Sequence, residues 1–426
     1  MKSIDRREFV KAGAAASGLL LLRSKTAFGY EANSAVRMGL LGCGNRGTSV
    51  ASSFAKNTSA RVVALADIFP DKLAKGKAHF DALNGTLGHA AIEDRLTFHG
   101  HDAFQELAHS KDIDMVQIST PPWFHVQHLE AAVNAGKHVY CEKPVGVDVA
   151  QSKKALEIAQ RVHGKVSVDV GFQVRSAPPI AAVMERVKGG ALGKIASISA
   201  NYYAPASTEK PSVGTSRDEW RLRNWLWDRV LSGDILVEQN IHIIDLCNWA
   251  LGAHPLKATA TGGRNILTHA GDCWDNYQVD FTYPGDVHVS FASTQFGNYG
   301  FEAGLRIFGA KGAADAPYAG PVRITGEAAW AWQDDATEGA SAGARKFAAN
   351  GEFKDNLALA DREKDRSFIE SITSGRFHNQ IAAGVETAQS CMLGRMAGYT
   401  HREVTWEQLL AHGEKFTLGM DVSQFS

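Results

Sequence analysis

Short apolar runs alternate with helix-period stretches from Val36 to about Phe172. Short runs bounded by turn residues indicate buried strands, and apolar residues recurring every three or four positions indicate helices. Their alternation predicts a parallel sheet with helices on both faces. The predicted strands are Val36–Leu41, Arg61–Ala66, Asp114–Ser119, Lys137–Cys141 and Lys165–Val170, and the clearest helices are Val126–Ala135 and Ala150–Val162.

The pattern changes after Pro178-Pro179. A predicted helix, Ile180–Lys188, leads into longer β-type segments, which predict an antiparallel sheet with one face against helices. The Gly- and Ala-rich stretches 310–326 and 337–350 are predicted to be loops or insertions. The predicted strands are Ile195–Tyr203, Leu256–Gly263, Asn276–Thr282, Val287–Thr294 and Gly304–Phe308, and two closing helices, Asp361–Ser374 and Val385–Gly398, are predicted to return to the first domain.

These patterns predict an α/β protein of two domains. Residues 36–160 would form a doubly wound parallel sheet, and residues 161–426 an α+β domain with an antiparallel sheet. The 426 residues are 44% hydrophobic, which is typical of a globular protein. Lys and Arg number 45 against 46 Asp and Glu, so the chain offers no basic field for nucleic acid. Five scattered cysteines do not suggest a disulfide framework.

The first predicted strand ends in a glycine turn, Gly42-Cys43-Gly44-Asn45-Arg46-Gly47. In a dinucleotide-binding turn the first glycine permits the tight turn and the second lets the backbone approach a pyrophosphate. The third lets the helix pack close to the strand. The pyrophosphate would lie at the positive end of a helix that begins near Asn45.

Asp67 ends the second predicted strand, 20 residues after Gly47. A carboxylate at this position can accept hydrogen bonds from the adenine ribose diol, and it would repel a 2′-phosphate. The next residue is Ile68 rather than an arginine. The sequence therefore favours NAD over NADP as the cofactor.

The extreme N-terminus contains paired arginines, Arg6 and Arg7, before a mildly apolar stretch, Ala12 to Leu22. This pattern predicts a twin-arginine signal peptide and linker over residues 1–35, with the mature protein periplasmic or otherwise exported. An amphipathic N-terminal helix is the alternative. Because the twin-arginine route carries folded proteins, the export machinery would be a partner and a cofactor would have to be captured beforehand and then held tightly.

Two further segments carry candidate chemistry. Glu142 and Lys143 follow the fourth predicted strand, and ligands of open α/β sheets bind at such strand ends. Lys143 could serve in proton transfer beside a nicotinamide; an exposed surface pair is the alternative. In the second segment, residues 233–245, a helix would place Glu238, His242 and Asp245 on one face. Glu238 could then orient His242 as a general base.

Two other interpretations of the second segment remain open. Glu238 and His242 could be half of a metal site, although no HExxH, CxxC or second His/Cys cluster accompanies them, and we predict no metal. His242 could instead be a buried histidine that is hydrogen-bonded to Asp245.

Candidate substrate residues are aromatic or have forked hydrogen-bond donors, a composition suited to a sugar ring. For the tryptophans near residue 225, packing between the domains is the alternative. The candidates are Gln173, Arg175, Tyr203 (with its neighbour Tyr202), Arg223, Asn224, Trp225 and Asp245.

An ordered set of motifs from Val36 to about Leu410 resembles the Gfo/Idh/MocA family, which includes glucose–fructose oxidoreductase and inositol dehydrogenase. The similarity is closest to its exported, twin-arginine branch. The matching motifs are the glycine turn, Ser119-Thr120-Pro121, His125, Ala135-Gly136-Lys137-His138-Val139, Glu142-Lys143-Pro144 and the spacing of Glu238 and His242.

The resemblance implies an N-terminal Rossmann domain and a C-terminal α+β domain with an open antiparallel sheet. It implies that Lys143, Glu238 and His242 form the catalytic group. It also implies that Glu142 and His125 lie near the cofactor, with Ser119, Thr120 and Pro121 expected there too. Two positions depart from the family pattern: Glu238 stands where the family usually has Asp, and Asn240 where it usually has Gly. The longer acid could orient a neighbour instead of taking part in catalysis.

Three classes of function follow. The first is an oxidoreductase that transfers hydride between a sugar, polyol or glycoside and tightly held NAD. The second is a glycoside hydrolase or lyase that uses the same NAD transiently, by oxidation, elimination and re-reduction. The third is a binding protein with an inactive site, against which the intact Lys143 and His242 argue. An open sheet face of this kind commonly pairs, so a homodimer or homotetramer is expected.

Overall fold

A computed structural model describes most of the chain, and the predicted export signal and the predicted loop at 337–350 lie outside the described residues. In the described part, no helix is both long and apolar enough to cross a membrane. The described residues are 35–206, 216–268, 270–297, 300–333 and 355–425.

The N-terminal domain contains a six-stranded sheet in the order β3-β2-β1-β4-β5-β6, in which every neighbouring pair is parallel. The central strands are buried on both faces, which explains their continuous apolar sequences. β6 carries this sheet beyond the predicted boundary at residue 160, and the three-residue β3 had no sequence signal. The strands are β1 Arg37–Leu41, β2 Arg61–Asp67, β3 Thr97–His99, β4 Met115–Ile118, β5 His138–Cys141 and β6 Val168–Val170.

Helices α1 to α5 connect these strands and cover the sheet, which confirms the predicted doubly wound α/β fold. They are α1 Asn45–Asn57, α2 Pro70–Thr86, α3 Ala103–His109, α4 His125–Asn134 and α5 Val149–Val162.

The C-terminal domain contains a nine-stranded sheet in the order β14-β13-β12-β11-β7-β10-β9-β8-β15. The predicted antiparallel sheet is correct except that β7 and β10 run parallel to each other. The strands are β7 Ile195–Ala204, β8 Lys257–Gly263, β9 Asn276–Tyr283, β10 Val287–Gln295, β11 Glu302–Gly309, β12 Gly312–Pro317, β13 Arg323–Gly326, β14 Trp330–Ala331 and β15 Val404–Thr405.

The prediction of a loop over 310–326 was wrong, because β12 and β13 lie within it. β12 pairs antiparallel with β11, from Gly304 opposite Pro317 to Gly309 opposite Gly312. Small residues give little strand signal of their own, and here the neighbouring strand supplies the hydrogen-bond partners.

The remaining helices cover the second sheet and connect it to the first domain. They are α6 Pro178–Lys188, α7 Arg217–Arg223, α8 Arg229–Ser232, α9 Ile235–Glu238, α10 Ile241–Leu251, α11 Ala360–Ser374, α12 Ile381–Thr400 and α13 Trp406–His412.

The two predicted closing helices, now α11 and α12, do return to the N-terminal domain. Asp365 on α11 accepts a hydrogen bond of 2.5 Å from the Ser53 hydroxyl on α1. Lys364 is buried above the rings of Phe54 and Tyr140, at 5.2 and 4.7 Å from their centroids. These contacts join the domains behind the sheet and leave the carboxyl ends of its strands available for a ligand.

Candidate active site

The glycine turn after β1 is shaped by two close approaches of the backbone. Gly42 has φ of +97°, and a Cβ there would lie 2.6 Å from the Ser119 carbonyl oxygen. A Cβ at Gly47 would lie 2.0 Å from the Gly42 carbonyl oxygen, so no larger residue fits. A Cβ at Gly44 would meet no protein atom within 4 Å. The space beside Gly44 is therefore free for a ligand at the start of α1.

This turn opens onto a cavity of about 890 Å³ between the two domains. Gly44 is the N-cap of α1 and has no side chain to cap it. The positive end of the helix therefore faces the cavity without a capping group. Lys72, which the sequence analysis did not single out, also lines the cavity. The predicted cofactor residues in its wall are Gly42, Gly44, Asn45, Arg46, Asp67, Ser119, Thr120 and Pro121.

Asp67, at the end of β2, lies beside the turn, and backbone N–H groups hold its carboxylate. It accepts hydrogen bonds from the N–H groups of Cys43, at 2.7 Å, and Phe69, at 2.8 Å. Burial raises the pKa of Asp67, and these two bonds oppose that rise. Each oxygen has accepted one hydrogen bond and can accept another, so the carboxylate is oriented to receive a ribose diol.

Together, these residues fit the predicted dinucleotide. The space beside Gly44 suits a diphosphate at the positive end of α1, and Asp67 can take the ribose hydroxyls at the adenosine end.

His125 is buried behind the cavity, not in its wall. Its Nδ1 lies 2.8 Å from the Pro144 carbonyl oxygen, and its Nε2 lies 2.8 Å from the Thr120 carbonyl oxygen. Burial lowers the pKa of His125, and a neutral imidazole has one N–H, so it donates to one carbonyl at a time. His125 therefore connects the segments that follow β4 and β5, and it positions Lys143 through Pro144.

Glu142 connects the tip of β5 to the glycine turn. Its Oε1 accepts a hydrogen bond of 3.0 Å from Arg46 Nε. Its carboxylate also packs over Gly171, where a Cβ would lie 2.6 Å from Glu142 Oε2. Glu142 therefore holds Arg46, a residue of the cavity wall, in place.

Lys143 makes the contact between strand β5 and the C-terminal domain. Its Nζ donates to the main-chain carbonyl of Glu238 at 2.5 Å and to Glu238 Oε1 at 2.7 Å. The two side chains are only 11% and 10% exposed, so this is a nearly buried ion pair. Glu238 thus orients Lys143.

The predicted pairing of Glu238 with His242 was wrong. The helix predicted over 233–245 is interrupted: α9 ends at Glu238 and α10 begins at Ile241. The amides of both intervening residues, Gln239 and Asn240, bond to the Ile235 carbonyl oxygen, which ends the regular helical pattern. His242 and Asp245 remain on one helix, while Glu238 turns to Lys143.

His242 is 6% exposed, and its ring packs edge-on against Phe172 with centroids 6.2 Å apart. Burial lowers the pKa of His242 well below its usual value, and the charges of Lys143 and Arg46 lower it further. The imidazole is therefore neutral at physiological pH and able to accept a proton. The alternative of a histidine bonded to Asp245 does not hold, because His242 Nδ1 has no hydrogen-bond partner among the described residues.

Asp245 holds Arg175 in a two-pronged ion pair. Arg175 Nε and Nη2 donate to its two oxygens at 2.6 and 2.7 Å, and the Thr387 hydroxyl donates to Oδ1 at 2.9 Å. The Arg175 guanidinium lies 5.9 Å from the centroid of Phe172, whose ring also contacts His242. Arg175 and Asp245 thus lie beside His242, with Arg175 partly exposed.

Several buried polar atoms around this cluster have no hydrogen-bond partner among the described residues. Asn240 is completely buried, and neither of its amide atoms is bonded. Because an unpaired buried polar group is costly, such groups are places where a ligand or an ordered water can bind. The atoms are Gln173 Oε1, Gln239 Oε1, Asn240 Oδ1 and Nδ2, and His242 Nδ1. Of these residues, only Gln173 and His242 were predicted site residues.

Four other predicted substrate residues lie elsewhere. Tyr203 is on the outer, partly exposed face of β7, whereas Tyr202 is on the buried face, where burial raises its pKa and the charge of Glu238 adds to the rise. Side chains alternate along a strand, so Tyr202 rather than Tyr203 faces the site. Arg223, Asn224 and Trp225 line the cavity at the Asp67 end, on the cofactor side.

No group of three or more His, Cys, Asp or Glu side chains that could hold a metal ion occurs within the described ranges.

Comparisons with known proteins agree with this geometry. A family model described as an oxidoreductase family with an NAD-binding Rossmann fold matches residues 36–170, and a GFO/IDH/MocA C-terminal domain matches residues 180–315. Inositol 2-dehydrogenase of Rhizobium meliloti (strain 1021) is 29% identical over 291 residues, which cover 68% of this chain and 78% of that protein.

Two further matches are more distant or shorter. A glycosyl hydrolase family 109 protein of Solibacter usitatus is 33% identical over 152 residues, 34% of each chain. The crystal structure of GenD2 from gentamicin A biosynthesis, in complex with NAD, matches with a TM-score of 0.65 at 18% identity. It covers 87% of this chain and 96% of the other, and it shows the shared fold.

The environment of His242 predicts an unusual titration. We expect its imidazole to stay neutral well below pH ~6.5, the usual histidine value. The Lys143→Met variant removes a nearby positive charge, so it should raise the pKa of His242. NMR of carbon-labelled histidine measures both, with His242→Gln to assign the resonance; titration of His242 near the usual value in the unaltered protein would contradict the prediction.

The unpaired amide of Asn240 predicts opposite effects on stability and binding. The Asn240→Leu variant should unfold at an equal or higher denaturant concentration, because an unpaired buried group costs roughly 1–3 kcal/mol. Its KM for substrate should rise at least about tenfold, the equivalent of one lost hydrogen bond to the ligand.

Asn248 provides the matched control for Asn240. It is also buried, but its amide atoms are bonded to Ser390, at 3.0 Å, and Tyr283, at 2.6 Å. Asn248→Leu should therefore destabilise the protein by roughly 1–3 kcal/mol, as measured by denaturant unfolding. Equal destabilisation by the two variants would show that the Asn240 amide is already satisfied in the free protein.

Proposed function

Because the chain belongs to the Gfo/Idh/MocA oxidoreductase family and is an NAD-dependent oxidoreductase, we propose that it oxidises a hydroxyl carbon of a sugar, polyol or glycoside with tightly held NAD. The observation that carries this proposal is the Lys143 ammonium, fixed by Glu238 beside a neutral His242. Neither side chain is in the wall of the cavity whose residues fit NAD; Arg46, which is in that wall, is paired with Glu142 next to Lys143, and its charge lowers the pKa of His242. The similarity to inositol 2-dehydrogenase supports a polyhydroxylated substrate.

The residues divide the proton chemistry between them. His242 is uncharged, so it can accept the proton of the substrate hydroxyl as a general base. Lys143 is held with its positive charge near the same oxygen, where it stabilises the alkoxide that develops. NAD, when bound, supplies the acceptor for the hydride that leaves the carbon. Glu238 keeps Lys143 in position and is a positioning residue.

A second candidate function is supported by the similarity to glycosyl hydrolase family 109. Oxidation of a ring hydroxyl to a ketone makes the neighbouring C–H acidic, and loss of that proton expels a glycosidic leaving group from the next carbon. Water then adds to the resulting double bond, and the ketone is reduced again. The net reaction is hydrolysis, and the cofactor ends in the state in which it began.

Lys143 provides the decisive variant for either function. Lys143→Met should slow reduction of bound NAD by roughly 10²–10⁴-fold, because it removes the charge that stabilises the alkoxide. Glu238→Gln should slow it less, since the main-chain carbonyl of residue 238 still accepts a hydrogen bond from Lys143. Both rates are measured by the absorbance of reduced nicotinamide against a panel of polyols and glycosides. Undiminished reduction in Lys143→Met would refute the assignment.

The same panel, run in deuterium oxide, separates the two candidate functions. An oxidoreductase yields a ketone and reduced cofactor, with no deuterium on carbon next to the oxidised position. The elimination route yields free sugar with deuterium at that neighbouring carbon and no net change in the cofactor. Mass spectrometry of the products measures the difference.

We also propose that the protein is exported by the twin-arginine route. Arg6 and Arg7 followed by a short apolar stretch support this, as does a cofactor that must be bound during folding. The double variant Arg6→Lys, Arg7→Lys should leave the protein in the cytoplasm, whereas a change of Lys11 to Arg should not. Cell fractionation measures the distribution, and export of the double variant at the original level would reject the proposal.

A further inference from the structure

The cavity that fits NAD is closed on one side by the C-terminal domain. Residues 222–227, at and after the end of α7, and Val422 near the C-terminus form this side of its wall. Part of the wall is also a separate apolar cluster, distinct from the main core. The residues shared by the wall and the cluster are Ile68, Phe69, Phe124, Leu222, Trp225 and Val422.

The C-terminal segment, Lys415–Phe425, runs beside this wall without regular secondary structure to Asp421 and ends in a 3₁₀ turn, Val422–Phe425. Its residues alternate between exposed and partly buried from Lys415 to Val422, so that every second side chain faces the protein. At its start, the Phe416 amide donates to Asp148 at 2.7 Å. Further along, Arg221 of α7 donates to the carbonyl oxygens of Leu418 at 3.1 Å and Gly419 at 3.3 Å. The segment is thus fastened to both domains.

Phe69 is the point at which these parts meet. It lies two residues after Asp67, so it borders the adenosine end of the cavity. The Arg223 guanidinium lies over its ring at 4.0 Å from the centroid and bonds to Asp71 on α2 at 2.8 Å. Phe425 packs edge-on against the same ring with centroids 5.7 Å apart. Phe69 is held from two sides by groups of the C-terminal half.

We propose that α7 and the C-terminal segment form a clamp over the adenosine end of NAD, which makes the cofactor a prosthetic group that does not exchange during turnover. This inference rests on the proposed function. Release of the nucleotide requires the cluster at Phe69 and the Arg223–Asp71 ion pair to separate. Without such a step, a nanomolar ligand that associates at about 10⁶ M⁻¹s⁻¹ would leave within roughly a quarter of an hour.

Two substitutions test the clamp without touching the cavity. Asp71 and Phe425 do not line it; Asp71→Asn weakens the ion pair with Arg223, and Phe425→Ala removes a ring contact with Phe69. The full-length proteins are purified with their bound nucleotide and incubated with excess isotopically labelled NAD. Mass spectrometry of the bound fraction then gives the half-time for exchange. Lys257→Gln, which breaks the exposed Lys257–Glu403 ion pair at the far edge of the second sheet, is the control.

We expect exchange in the unaltered protein and in Lys257→Gln to take many hours. Each clamp variant should exchange at least tenfold faster, and the double variant faster still, with unchanged circular dichroism. Exchange at the original rate in folded Asp71→Asn and Phe425→Ala would overturn the clamp. Should Phe425→Ala fail to fold, Asp71→Asn decides alone, because Asp71 is a half-exposed surface residue.

The unaltered protein separates this inference from the proposed function. If it binds NAD but exchanges it within minutes, the clamp and the tight hold on NAD are refuted, while oxidation of the substrate hydroxyl with NAD stands. If it neither carries nor binds NAD, the proposed function fails, and the clamp fails with it.

Discussion

The two hydrogen bonds from Lys143 to residue 238 are the contact on which the site depends. They join the end of β5 to the end of α9, and so set the position of one domain relative to the other. Both partners are nearly buried, and removal of either would leave an uncompensated charge, which is strongly destabilising. The neighbouring Glu142–Arg46 pair extends the same connection to the start of α1. The glycine turn, the strand end and the C-terminal domain are therefore held in one arrangement.

Much of the fold could be predicted because its signals are local. The β1 strand, the glycine turn and Asp67 are read from short apolar runs and from backbone demands that glycine meets. The same holds for β7, β9 and β10, in which buried and more exposed residues alternate along the strand. The predictions failed where structure comes from pairing partners. β3 has three residues, β12 is built from small residues, and the parallel pairing of β7 with β10 joins segments far apart in sequence.

The candidate site shows the same division. Sequence spacing located Lys143, Glu238 and His242, but it could not show that the helix breaks between the last two. Once it breaks, Glu238 is free to bond Lys143, and the burial of His242 and the charges near it determine its proton affinity. Arg223 and Trp225 have a composition suited to a sugar, yet their contacts lie at the adenosine end of the cavity. Composition indicates what a residue can bind, while tertiary packing determines what it meets.

The arrangement of charges around His242 bears on the kind of substrate the site can accept. Arg46 is paired with Glu142, Lys143 with Glu238 and Arg175 with Asp245, so each of these cations already has a carboxylate within 3.0 Å. An anionic substrate would have to compete with those carboxylates for the cations. It would gain little electrostatic attraction, because each positive charge is already balanced. A neutral polyol makes no such demand. It needs hydrogen-bond donors and acceptors, and the unpaired atoms of Gln173, Gln239 and Asn240 supply both kinds. The ion pair with Glu238 keeps the Lys143 ammonium oriented. Lys143 can therefore stabilise the one substrate oxygen that becomes negative during the reaction, because the new charge forms beside the ammonium.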